Sequence, residues 1–165
     1  MTDLRFATEP ELPALMDLVN RAFAVEKFFK QNDRLNPEST REYFERGRFL
    51  VSGQPGHLQG CVFVELKGDR AYLGLLSVDP ASQKSGLGTR LVSAAEEYAR
   101  ELGALHMDLT IVNVRQELPG YYNRLGYTVS GTQPIPPEMI GPVSMPCHFV
   151  LMTKPLGKAR QSQPQ

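Results

Sequence analysis

Apolar residues recur at three- and four-residue intervals through Leu12, Leu15, Met16, Val19, Ala22 and Phe23, which predicts an amphipathic helix running to about Ala24. Thr8-Glu9-Pro10-Glu11 precedes it as a capping-box pattern with proline in the first turn, and residues 4–7 read as a short strand. Asn36-Pro37 opens a second, short helix over 38–46. Three strand-like runs follow, 48–52, 58–66 and 71–78, separated by "GQPG" and "KGDR". Connections this short predict an antiparallel meander.

The helical period returns with Leu87, Leu91, Ala94, Ala95, Tyr98 and Leu102 on one face, Glu96 and Arg100 on the other, and Gly103 as the stop. Residues 105–112 are a near-continuous apolar run. Such a run predicts a central strand buried on both faces and, after a helical crossover, parallel to 71–78. "VRQELPGYYNRLGY" holds a short helix that Pro119 either interrupts or starts and that Gly126 closes. Strands from Tyr127 and around 147–152 complete the sheet, with "TQPIPPEMIGP" as a long loop and "GKARQSQPQ" as a disordered tail. One domain is expected over 1–156, with 157–165 as the tail.

The 165 residues, 41% of them hydrophobic, fit a single globule, and 18 Lys plus Arg against 18 Asp plus Glu leave no global field for nucleic acid or an anionic membrane. An anion site must therefore be built locally. "MTDLRFATEPEL" lacks the basic start and apolar run of a signal peptide, and no stretch approaches a membrane span, so a cytoplasmic location is expected. Cys61 and Cys147 have no metal-ligand spacing and sit in strand-like runs, as buried reduced thiols rather than a disulfide or a nucleophile.

Gly86 and Gly88 stand where the long helix must begin, although glycine costs about 1 kcal/mol against alanine inside a helix. Lys84 precedes the glycines, which excludes a Walker A loop. Thr89-Arg90-Leu91 supplies no third glycine or alanine for a dinucleotide fingerprint. What remains is a strand, the turn Gln83-Lys84-Ser85-Gly86-Leu87-Gly88 and a helix whose free amides and positive dipole end face the turn. Such a turn either cradles a pyrophosphate or relieves crowding between helix and sheet.

Gln83-x-x-Gly86-x-Gly88 after "LLSVDP" resembles the coenzyme A-binding motif of the GNAT superfamily of N-acetyltransferases, and Tyr122-Asn123-Arg124-Leu125-Gly126-Tyr127 resembles its second signature, with Tyr127 in place of phenylalanine. The resemblance implies an α/β fold: a central mixed, mostly antiparallel sheet of about seven strands with a splayed parallel pair, flanked by about four helices. It implies acetyl-coenzyme A as co-substrate, lying between strands 71–78 and 105–112. Leu76, Ser77 and Val78 would then meet the pantetheine arm, and Lys84, Ser85, Gly86, Leu87, Gly88 and Thr89 the diphosphate. Lys84 and Arg124 are either phosphate partners or surface bases. Tyr122 takes the position of the acid that protonates the leaving thiolate, while Tyr121, in phase with Leu118 and Leu125, reads as core.

The general base is open. Strand 71–77 carries no carboxylate, which leaves Glu65, His148, a water relay or no protein base; Asp108 reads equally as a structural partner. Arg115 stands where the family often has asparagine, with Asn113 two residues earlier as a candidate for pantetheine or helix capping. The acceptor, a primary amine of a small molecule, peptide or protein, would sit among the first two helices and the final hairpin. Phe28 and Phe29 would line that pocket or pack as core there, and Glu26 would draw an ammonium or simply be solvated. A homodimer is possible. The same fold without turnover would make a non-catalytic acyl-coenzyme A-binding domain, and a nucleotide-binding module is a third reading.

Overall fold

Alternation along the meander strands decides which helix packs on which face. In the computed structural model, which describes residues 4–29, 32–136 and 143–157, the elements run β1 (Leu4–Phe6), α1 (Leu12–Ala22), α2 (Pro37–Arg46), β2 (Arg48–Gln54), β3 (His57–Lys67), β4 (Arg70–Val78), α3 (Leu87–Glu101), β5 (His106–Val112), α4 (Leu118–Arg124), β6 (Thr128–Pro134) and β7 (His148–Pro155). They form a mixed α/β fold with one seven-stranded sheet in the order β1-β2-β3-β4-β5-β7-β6. Among the described residues only β4 and β5 pair in parallel; every other pair is antiparallel. Val62 and Val64 of β3 join Leu87, Leu91, Val92, Ala95 and Ala99 of α3 in one core, while Cys61 and Phe63 join Leu15, Leu18 and Val19 of α1 in the other. Period two on β3 thus places one core on each face of the sheet.

Local chemistry sets the helix starts. Asn36 caps α2, its Oδ1 accepting from the Ser39 amide at 2.8 Å with Pro37 in the first turn. At the head of α1 the Thr8 amide donates to Glu11 Oε1 at 2.9 Å, and a 3-10 turn over Glu9–Glu11 leads into the helix. Pro119 starts α4 rather than interrupting it.

Several sequence expectations are corrected. The first helix ends at Ala22 and continues as a 3-10 stretch, Phe23–Phe28. Of the phenylalanine pair, Phe29 is 1% exposed and Phe28 54%, so one packs as core and the other faces outward. β5 alternates instead of burying both faces: Met107, Leu109 and Ile111 are buried, and Asp108, Thr110 and Val112 half-buried. On the second face Asp108 bonds Arg70 and Thr153, and Thr110 meets Tyr72, so polar contacts take the place of a second apolar layer.

Glu96 is not on a solvated face. It is 5% exposed and accepts from Tyr127 Oη at 2.8 Å and from Lys154 Nζ at 3.0 Å, tying α3 to the chain after α4 and to β7. Thr132 to Pro134 belong to β6 rather than to a loop, while residues 137–142 of the proline-rich segment lie outside the described residues, as does the tail from 158 on. Both cysteines are free; Cys61 is buried but Cys147 only half-buried. Among the described residues no helix is long and apolar enough to cross a membrane.

Candidate functional site

β4 and β5 are hydrogen-bonded only at their feet, Arg70–Tyr72 against His106–Asp108. Arg70 pins that foot, donating from Nε and Nη2 to the two Asp108 carboxylate oxygens at 2.7 Å each and from Nη2 to Thr153 Oγ1 at 3.0 Å. Tyr72 Oη and Thr110 Oγ1, 3.2 Å apart, make the last cross-strand contact before the strands part. Beyond it opens a cleft of about 410 Å³, walled by Leu73 to Leu76 on one side and Leu109 to Val112 on the other.

A bulge on β4 shapes the parting. Pairing with β3 slips between Cys61 and Phe63, and Leu75 adopts the left-handed region at φ 56°. For an L-residue that conformation costs roughly 1–2 kcal/mol. Two groups offset it: Ser77 Oγ donates to the Leu75 carbonyl at 2.9 Å, and the Cys61 thiol, pushed up to about 12 by burial, donates to the same oxygen at 3.8 Å. The bulge also switches faces. Ala71 and Leu73 belong to the α3-side core before it, but Leu76 and Val78 after it, while Leu75 joins the α1-side core. Gly74 is required beside it, because a Cβ there would lie 2.7 Å from the Tyr72 ring.

The chain leaves β4 through the glycine turn. Asp79 accepts from the Ala81 amide at 2.9 Å and from Arg21 Nη1 at 2.7 Å, fixing the strand's exit against α1. Gln83 braces the turn by donating from Nε2 to the Val78 carbonyl at 3.3 Å, and Ser85 Oγ donates to the Ser82 carbonyl at 2.6 Å. Lys84 (φ 69°) and Gly86 (φ 82°) are both left-handed, and Gly86 is the N-cap of α3. Such alternation turns successive amides toward one concavity, at the end of a helix whose first amides have no intrahelical acceptor. The two glycines serve different needs. Gly86 meets its conformation, whereas a Cβ on Gly88 would stand 3.1 Å from Tyr121 Oη.

Tyr121 and Tyr122, edge to face at 5.0 Å on α4, both line the cleft. Tyr121 is therefore not simply core: its hydroxyl lies 3.5 Å from Thr89 Oγ1, beside the glycine turn. Tyr122 is 7% exposed, and among the described residues no protein group hydrogen-bonds its hydroxyl. Burial first, then the neighbouring tyrosines, raises its phenol well above the ordinary value, so it stays protonated at neutral pH. At the other end of the cleft Arg115 Nη1 donates to Glu26 Oε2 and its Nε to Glu117 Oε2, both at 2.8 Å. Arg34, Tyr43, Phe23 and Phe149 complete that wall.

A sequence profile of the acetyltransferase (GNAT) family matches residues 12–127, more than half of the chain. The chain belongs to the GNAT acetyltransferase family. Acetyl-coenzyme A is the family's co-substrate. A blasticidin-S acetyltransferase of Streptomyces morookaense is 31% identical over 83 residues, a match covering 50% of this chain and 60% of that relative. The ribosomal-protein-S18-alanine N-acetyltransferase of Escherichia coli shares the fold at a TM-score of 0.76 and 17% identity, with 100% of both chains covered. So does yncA of Salmonella typhimurium, solved with its cofactor acetyl-CoA, at a TM-score of 0.73 and 21% identity over 100% of this chain and 98% of that one.

In this GNAT chain the structure brings together one group of residues singled out from sequence: Leu76 and Tyr122 line the cleft, buried Ser77 and half-buried Val78 continue β4, residues 83–86 form the turn that follows it, and 87–89 open α3. Others lie apart. Asn113 exchanges hydrogen bonds with His148, its Oδ1 accepting from the His148 amide at 2.7 Å and its own amide donating to the His148 carbonyl at 2.9 Å, and neither residue lines the cleft. Glu65 pairs with Arg46 at 3.4 Å outside the cleft, and Asp108 is held at the foot. Among the described residues the carboxylate that does line the cleft is Glu26, 4% exposed. Arg34 and Tyr72 escaped sequence reasoning entirely, since a single arginine in a polar segment and a tyrosine in a strand carry no motif.

Proposed function

We propose that the protein transfers the acetyl group of acetyl-coenzyme A to the primary amine of a small molecule by direct attack. The observation that carries this reading is the cleft itself. It opens where the parallel strands part, presents a protonated Tyr122 that has no hydrogen-bond partner among the described residues, and ends in a wall holding a carboxylate and two guanidinium groups.

Among the described residues the edge of β4 facing β5 has no strand partner from Leu73 onward, and an amide-rich pantetheine arm pairs with such an edge as an added strand would. Amides from Gly86 to Thr89, at the positive end of α3, suit a diphosphate. The amine's lone pair adds to the thioester carbonyl, the carbon–sulfur bond breaks, the thiolate takes the Tyr122 proton, and water returns a proton to the phenolate before the next turnover. Amine protons leave toward Glu26, whose other carboxylate oxygen is not engaged by Arg115, directly or through water.

Purified protein incubated with acetyl-coenzyme A and a panel of amines tests this. Thiol release matched by an acetylated product in the mass spectrum is the expected result. Tight coenzyme A binding with no thiol release above background on any amine would instead mark a non-catalytic acyl-coenzyme A-binding domain. Tighter binding of ATP or NAD than of coenzyme A would overturn both.

A further inference from the structure

Acetyl transfer leaves one charged group of the cleft without a task. Arg34 lines the acceptor wall from the segment between α1 and α2, half-buried, donating from Nη2 to Tyr43 Oη at 3.3 Å with its guanidinium 5.8 Å from the Phe23 ring centroid. Among the described residues no carboxylate pairs with it. Arg115, across the same wall, contrasts with it in having two carboxylates, Glu26 and Glu117. A guanidinium taken partly out of water recovers less from a phenol oxygen and a ring face than from a bidentate anion.

Arg34 is also held in place. The buried Leu35 beside it is clamped by Asn20 of α1, which accepts from the Leu35 amide at 2.8 Å and donates to the Leu35 carbonyl at 2.9 Å. Tyr43 is fixed edge-on against Phe63 with centroids 4.9 Å apart. Among the described residues the charged side chains lining the cleft are Glu26, Arg34 and Arg115; Arg115 is paired with Glu26 there and with the exposed Glu117 outside it, and Arg34 is paired with no carboxylate.

We infer that Arg34 binds an anionic group on the acceptor, so that the substrate is a small amine that also carries a carboxylate or a phosphate. The amine half of this statement rests on the acetyl-transfer reading; the anion half does not. A purely cationic acceptor would set like charge against Arg34 in a partly desolvated site, which is unfavourable.

The test offers amines in matched pairs: free amino acids against their carboxamides, and O-phosphoethanolamine against ethanolamine. For at least one pair kcat/KM is expected to favour the anionic member by roughly ten- to hundred-fold, the worth of a charge-assisted contact, and the pair showing it distinguishes carboxylate from phosphate. Arg34→Gln should collapse that ratio toward one through KM, and Arg34→Lys should restore part of it. Equal rates for both members of every pair, or an undiminished ratio in Arg34→Gln, overturns the inference. If no amine releases thiol, the acetyl-transfer reading fails by itself. The anion site is then read by calorimetric titration of the coenzyme A complex with N-acetyl amino acids and their carboxamides, where no preference for the acids, or one that survives Arg34→Gln, overturns it.

Discussion

Glu96 and Glu26 are both buried carboxylates facing a cation at about 3 Å, yet they sit in different kinds of place. Glu96 lies between α3 and the sheet, where Tyr127 Oη, Lys154 and the i,i+4 neighbour Arg100 surround it. Tyr127 is itself fully buried, and Lys154 also donates to the Leu125 carbonyl at 2.8 Å. Glu26 opens onto the cleft and shares one oxygen with Arg115. Burial and an ion pair therefore do not by themselves mark a reactive site. What separates the two is a neighbouring volume large enough for a substrate and a carboxylate oxygen left over.

The largest effect is expected on the closed side. Glu96→Ala strands the Lys154 ammonium and the Tyr127 hydroxyl, and should cost about 3 kcal/mol in urea unfolding while kcat at a permissive temperature stays within two-fold. A comparable loss of kcat in the folded variant would show that the knot under α3 reaches the cleft.

Tyr122 tests the open side, since it packs 5.9 Å from Tyr127 yet lines the cleft. Tyr122→Phe should lower kcat about 100-fold, roughly 2.7 kcal/mol, with coenzyme A affinity and unfolding midpoint unchanged. Its phenol stays protonated throughout, so the loss should be uniform between about pH 6 and 9. An unaltered rate removes the hydroxyl from the reaction. Glu26→Gln comes next: about a ten-fold fall in kcat/KM for the amine, no change in KM for acetyl-coenzyme A, and little lost stability because Arg115 keeps Glu117. Equal damage to both substrates would place Glu26 in the scaffold with Glu96.

The same contrast explains what the chain discloses unaided. Helix α3, the meander and the glycine turn are readable because each is specified by neighbours in sequence: a 3.6-residue period, short turns, and Gly86 at a left-handed cap. Glu96 and Glu26 are not, because their partners are distant; Arg115 is 89 residues from Glu26 and Lys154 58 from Glu96. A lone glutamate on a helix reads as solvated until the fold supplies its cation. The bulge was equally hidden, since "LGLLSV" alternates plausibly in either register and only pairing with β3 reveals the switch of faces at Leu75. Tyr121 and Tyr122 are adjacent on a short helix, and helical phase cannot tell which one meets the cleft when both do.

A third buried carboxylate, Glu11, separates electrostatic stability from both sites. It is 4% exposed and receives Arg5 Nη1 and Nη2 at 2.9 and 2.7 Å, while Arg5 Nη2 also reaches the Gly53 carbonyl, stitching the head of α1 to β1 and β2. The Arg5 hydrogen bonds, helped by the Thr8 amide and opposed by burial, lower its carboxyl from 4.5 to about 2. A depressed folded value means the unfolded chain binds the proton first. The stabilisation is then complete above about pH 4.5 and drains away as pH falls toward 2. Glu11→Gln should therefore cost roughly 1–2 kcal/mol at neutral pH, after allowing for screening of the partly exposed Arg5, and flatten the acid limb of the stability curve. Urea midpoints of the two proteins should converge as pH drops from 4.5 to 2, with kcat unaffected at pH 7. Midpoints that stay parallel across that window would mean the pair holds the same proton affinity folded and unfolded, and would reduce Arg5 and Glu11 to a packing contact.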